Sequence, residues 1–114
     1  MKISDSQSVF IGENVVIDTN HPEYITIEGG AYITSGCVIL SHYFNTTKPT
    51  ARFDFGCVHI GKNVFIGCNS IICNAVTIGE NAVIGAGSIV NKSIPADEIW
   101  GGNPARFIKK RVID

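Results

Sequence analysis

Residues 60–95 read IGKNVFIGCNSIICNAVTIGENAVIGAGSIVNKSIP, with Ile or Val at every sixth position: 60, 66, 72, 78, 84 and 90. An amphipathic helix repeats about every 3.6 residues and a half-buried strand about every two, so neither produces this beat. The same spacing recurs upstream at Ile11, Ile17, Ile27, Ile33 and Ile39. The fifth position of each hexad is mostly small.

The fourth position explains how such a chain turns. It is Asn14, Asn20, Gly30, Gly36, Asn63, Asn69, Asn81 and Gly87. Asn and Gly tolerate positive φ at the lowest cost, so the pattern predicts a tight corner every sixth residue. Short β-branched strands joined by such corners wind into a triangular prism, filled by positions one and five, whose coils stack roughly 4.8 Å apart. The fold expected is all-β: a left-handed parallel β-helix of about four coils, outside the right-handed crossover rule. One domain, 1–114, is expected, with coils over about 5–95 and a cap over 96–114.

The beat fails twice. Four residues are extra between the hexads at 17 and 27. A longer excursion interrupts VILSHYFNTTKPTARFDF (38–55), and is placed at 45–53 (NTTKPTARF) if the chain rejoins the coil at a weak hexad, DFGCVH (54–59). That register puts Ile17, Ile39, Ile66 and Ile84 on one face and Ile27, Ile72 and Val90 on the next. Ile11, Ile33, Ile60 and Ile78 fall on the third. Both excursions then leave from one corner, and the column just before it holds Asn20, His42, Asn69 and Gly87. Loops on a rigid scaffold concentrate binding and chemistry, which singles out His42 beside both.

Composition narrows the class. The chain has 114 residues, 45% hydrophobic and 17% charged, with net charge −1. Its basic residues cluster at the end, in Arg106, Lys109, Lys110 and Arg111; nothing else in the charge pattern suggests nucleic acid. Four cysteines without a CxxC pair read as reduced thiols. The absence of a signal-like opening or long apolar run predicts a cytoplasmic protein without an integral membrane segment. Three histidines 21 and 17 residues apart lack the close pair a zinc site would use, so no metal is expected. His21 and His59 read as surface residues.

The run from IGKNVF to the closing GNPAR (102–106) resembles the hexapeptide-repeat acyltransferases, in particular the maltose, galactoside and colanic-acid-type sugar O-acetyltransferases. The resemblance covers nearly the whole chain. It implies acetyl-CoA as donor and a sugar hydroxyl as acceptor, in polysaccharide or surface-antigen biosynthesis, with His42 as catalytic base. Carried over by position, Cys68 and Ala86 would line the pantetheine groove, and Lys92, Arg106 and Lys109 would meet the phosphates and adenosine.

A neutral imidazole suits the removal of a hydroxyl proton at neutral pH. Glu23, Glu28 or a backbone carbonyl would orient it, and a backbone N–H or Asn69 would stabilise the oxyanion. Asn20, Lys48 and Arg52 are further acceptor-side candidates. Outward apolar residues (Phe65, Ile71, Val83, Ile89) predict a homotrimer with sites between subunits. Asn103 as N-cap and Pro104 at the first helical position predict a short C-terminal helix. Trp100, Phe107 and Ile108 would plug the prism end, unless Trp100 stacks on adenine. The competing functions are N-acylation of an amino sugar and a non-catalytic β-helix assembly protein.

Overall fold

The computed structural model describes residues 1–18 and 20–114 and is a left-handed parallel β-helix. The first face stacks Lys2–Ile3, Ile25–Ile27, Val58–Ile60 and Thr77–Ile78. The second stacks Phe10–Ile11, Tyr32–Ile33, Phe65–Ile66, Val83–Ile84 and Glu98–Gly102. The third stacks Val16–Ile17, Val38–Ile39, Ile71–Ile72 and Ile89–Val90. Every pairing among these strands is parallel.

Position one points inward in each strand. Ile27, Ile60 and Ile78, then Ile33, Ile66 and Ile84, then Ile39, Ile72 and Val90 are fully buried, one column per face. Ala31, Cys37, Val64, Ser70, Val76, Ala82 and Ser88 at position five are buried with them. The corners are left-handed as the Asn/Gly pattern requires. Asn14, Gly30, Gly36, Asn63, Asn69, Asn81 and Gly87 all have φ between 59° and 78°. Corner amides bond from coil to coil: Asn69 N–H to Ser35 O at 3.0 Å, and Gly87 N–H to Cys68 O at 2.9 Å.

Two expectations are corrected. Ile17 and Ile39 stack with Ile72 and Val90, not with Ile66 and Ile84. The chain rejoins the coil at Val58, which pairs with Ile25, so DFGCVH is not a coil hexad. Its Phe53–Phe55 is instead the returning strand of a hairpin with His42–Phe44, and the excursion is longer than 45–53. Asn69 and Gly87 therefore share a column with Asn14 and Gly36 and lie at a different corner from His42.

The C-terminal segment is a second hairpin rather than a helix. Glu98–Gly102 pairs antiparallel with Ala105–Lys110. Ile99 and Trp100 extend the second face onto Val83 and Ile84, and Asn103-Pro104 occupies the turn. Trp100 pairs with Ile84 and packs against the core at this end of the prism, whereas Phe107 and Ile108, expected to plug it as well, are 50% and 58% exposed.

Candidate active site

Both excursions leave at the corner between the third and first faces. The lower one contains a 3-10 turn, Pro22–Tyr24. The upper one is the hairpin, in register His42↔Phe55, Tyr43↔Asp54 and Phe44↔Phe53. Strand alternation puts His42, Phe44, Phe53 and Phe55 on one side and Tyr43 and Asp54 on the other. The two excursions touch through Phe55, whose ring stands edge-on to His21 at 4.4 Å.

Asp18 follows Ile17 directly, and its N–H bonds to Ile39 O at 2.8 Å. The stacking of these two coils carries its carboxylate beneath Ser41 and His42. Asp18 is only 8% exposed, and its oxygens are fully engaged. One accepts from Asn20 N–H at 3.1 Å. The other accepts from the N–H and the hydroxyl of Ser41, each at 3.1 Å, and from His42 Nδ1. Burial pushes this carboxyl's pKa upward, but the bonds from Asn20, His42 and Ser41 outweigh it and hold the pKa at about 2.

An ionised carboxylate only accepts hydrogen bonds, so neutral His42 carries its proton on Nδ1 and presents an unprotonated Nε2. The His42 side chain is 29% exposed, against 4% for Asp18. A fixed base meeting solvent above a buried anion can take a proton from a hydroxyl.

The glutamates expected to orient the base lie elsewhere: Glu23 pairs with His21 at 3.2 Å, and Glu28 with His59 at 2.8 Å. Asp18 takes that place. The signal for it was present in the sequence, because stacking Ile17 under Ile39 puts Asp18 level with Leu40, with Ser41 and His42 the next two residues along.

The other candidates separate into four groups. Asn20 lies beside the base, its N–H on Asp18. Cys68 and Ala86 are exposed and stack at the corner between the second and third faces, with Asn69 one residue on. That corner and the one bearing His42 bound opposite edges of the third face. Lys48 is exposed near the hairpin tip, while Arg52 lies 3.6 Å from Asp54, on the side away from His42. Of the basic tail, Lys110 is tied to Glu98 at 2.9 Å, and Arg111 donates to Asn81 O at 2.8 Å. Arg106 and Lys109 are exposed on the capping hairpin, and Lys92 is exposed after Val90.

Cys37 is buried and Cys73 half-buried, and burial raises both thiol pKa values. Among the described residues no three His, Cys, Asp or Glu side chains converge on a metal site. No described helix is long and apolar enough to cross a membrane.

Residues 57–92 match the family "Bacterial transferase hexapeptide (six repeats)". The chain is 46% identical over 106 residues to Protein CapG of Staphylococcus aureus, covering 93% of this chain and 55% of CapG. It superposes on the polySia specific acetyltransferase NeuO with a TM-score of 0.80 at 27% identity, over 97% of this chain and 52% of NeuO. Galactoside acetyltransferase in complex with coenzyme A gives a TM-score of 0.75 at 30% identity, over 96% of this chain and 58% of that one. AntD, an N-acyltransferase from Bacillus cereus in complex with dTDP and 3-hydroxybutyryl-CoA, gives 0.71 at 26% identity, over 97% and 77%. The chain thus spans a little over half the length of CapG and NeuO. Its residues 57–92 carry the repeat of the hexapeptide transferases, the fold is a left-handed β-helix, and its solved neighbours include sugar acetyltransferases.

Proposed function

We propose that this chain catalyses transfer of an acetyl group from acetyl-CoA to a sugar hydroxyl in the building of a capsule or another surface polysaccharide, in the cytoplasm. The observation that carries the reading is the Asp18–His42 pair: a buried, ionised carboxylate fixes Nδ1–H and leaves Nε2 as a base beside the hairpin.

In the reaction, the acceptor hydroxyl oxygen attacks the thioester carbonyl carbon while His42 Nε2 takes its proton. Asp18 stabilises the imidazolium that forms. The carbonyl oxygen takes up negative charge and draws on a backbone N–H or an amide such as Asn69. Collapse breaks the C–S bond, the proton on Nε2 passes to the departing thiolate, and the products are an acetyl ester and free CoA. No acyl-enzyme is needed.

Two copies would complete each site. Within one chain, the base and the Cys68–Ala86 corner lie on opposite edges of the third face. A pantetheine arm along Cys68 and Ala86 of one subunit would meet His42 of its neighbour in a cyclic trimer. Supporting this, the outward residues of two faces are apolar: Phe10, Tyr32, Phe65 and Val83 on the second, and Val16, Val38, Ile71 and Ile89 on the third. The first shows Lys2, Thr26, His59 and Thr77. Arg106, Lys109 and Lys92 would hold the CoA phosphates.

Likeness to AntD favours a second reading, N-acylation of an amino sugar. Acetyl-CoA consumption across free, nucleotide-linked and lipid-linked sugars tests both. Hydroxylamine releases acetyl from an ester product and leaves an amide intact. Failure of every sugar to accelerate CoA release would count against acyl transfer.

A further inference from the structure

The side of the excursion hairpin that carries His42 is paved with open aromatic rings. Phe44, Phe53 and Phe55 are 50%, 57% and 47% exposed. Phe53 stands edge-on to the imidazole at 5.6 Å, Phe55 lies 6.3 Å from it, and Phe44 meets Phe53 edge-on at 6.0 Å. These rings contribute little to folding, because the prism core closes without them.

The three rings are not equivalent. Phe55 is clamped from below by His21 at 4.4 Å and Tyr24 at 6.4 Å, and Glu23 holds His21 in turn. Phe44 and Phe53 have no such support. On the opposite side, beside Tyr43, the polar groups pair with one another: Asn45 donates to Asp54 at 2.7 Å, and Arg52 turns to the same carboxylate. The hairpin is therefore two-sided, and the base belongs to its apolar side.

We propose that Phe53 and Phe44 form a platform for the C–H face of the acceptor's pyranose ring, and that Phe55 is the fixed wall setting the gap beside His42. This rests on the acyl-transfer reading above. A pyranose carries a patch of polarised C–H bonds on its ring face and hydroxyls around its rim. The C–H face fits the electron-rich face of an aromatic ring, and the rim then carries a hydroxyl toward the imidazole. With Arg52 turned away to Asp54, recognition on this side works through ring shape rather than charge. Small apolar-walled sites with few convergent polar groups are the general form of such pockets.

The test uses the full chain loaded with CoA, and methyl β-galactoside, N-acetylglucosamine and N-acetylneuraminic acid as probes. Saturation-transfer NMR irradiates the protein's aromatic protons and detects the sugar. At least one pyranose should receive saturation mainly on the C–H protons of one ring face. Phe53→Leu, which keeps apolar area and removes the ring, should weaken that sugar's binding by about three- to tenfold. CoA affinity and oligomeric mass should stay at wild-type values, which keeps this test separate from failure of donor binding. No transfer to any probe from CoA-bound protein would overturn the platform. So would a Phe53→Leu protein that changes its oligomeric mass while binding sugar as well as wild type, since the rings would then be a contact between subunits.

Discussion

Asp18 and His42 come from adjacent coils, and their side chains meet through His42 Nδ1 and one carboxylate oxygen, which also accepts both the N–H and the hydroxyl of Ser41. The stacked coils set this geometry. The excursions complete it, since His42 opens the hairpin and the N–H of Asn20 binds the other carboxylate oxygen. An Asp18→Asn chain keeps the shape of the pair but can present an amide N–H to Nδ1, which favours the wrong tautomer. Turnover should fall on the order of 10²-fold, within the range for a positioned general base, with the Michaelis constant for acetyl-CoA unchanged. Steady-state kinetics with both substrates varied separates the two.

The same carboxylate makes stability depend on pH. Its pKa falls from an ordinary 3.8 to about 2 in the folded chain. A depressed carboxylate stabilises the fold above its unfolded pKa and loses that contribution as pH falls through the folded one. The contribution is about 2 kcal/mol. The stability gap between wild type and Asp18→Asn should shrink as pH falls from about 4 to 2. Urea unfolding at stepped pH measures it. A gap that stays level or grows across that range would contradict the assignment.

The corner columns predict opposite results for two glycines with similar backbones. A Cβ on Gly36 would lie 2.0 Å from Asn69 Oδ1, at φ +76°. One on Gly87, at φ +71°, would meet nothing within 4 Å. Asn already occupies equivalent corners at Asn14 and Asn69, so Gly87→Asn should leave the melting temperature near wild type. Gly36→Asn should cost roughly 1–3 kcal/mol, because its side chain and that of Asn69 need the same space. Thermal unfolding of the two variants side by side tests the register.

Much of this was legible in the sequence, and the misreadings share a physical cause. Position-one aliphatics and positive-φ corners are local requirements of every coil, so residues 60–90 define the prism unaided. The excursion's length is not set by that beat. His42-Tyr43-Phe44 and Phe53-Asp54-Phe55 alternate with period two, which is a hairpin signal. Reading 54–59 as a weak hexad instead shifted the early coils by one face and put Asn69 in the column of His42. At the C-terminus, Asn103-Pro104 fits a helix start as well as a turn. The strand pairing of Trp100 with Ile84, a tertiary contact, decides for the turn. Asp18 sits at the root of the lower excursion, and only the stacking of Ile17 under Ile39 brings it to His42.

The capping hairpin should affect the donor alone. Lys110 and Arg111 are held by Glu98 and Asn81, which leaves Arg106 and Lys109 as the tail's candidates for the proposed phosphate contacts. Arg106→Ala should raise the Michaelis constant for acetyl-CoA by roughly ten- to a hundredfold, as expected for losing a charged hydrogen bond. Turnover at saturation should change little. Equal loss in both parameters would place Arg106 in the chemical step instead.

The most direct measurement is the effect of His42→Ala on two quantities in one preparation: turnover with a sugar acceptor, and CoA affinity by calorimetry. Turnover should fall by roughly 10²–10⁴, while CoA binds as it does to wild type. A variant that keeps more than about half of wild-type turnover would remove His42 as the base, and with it the role assigned to Asp18.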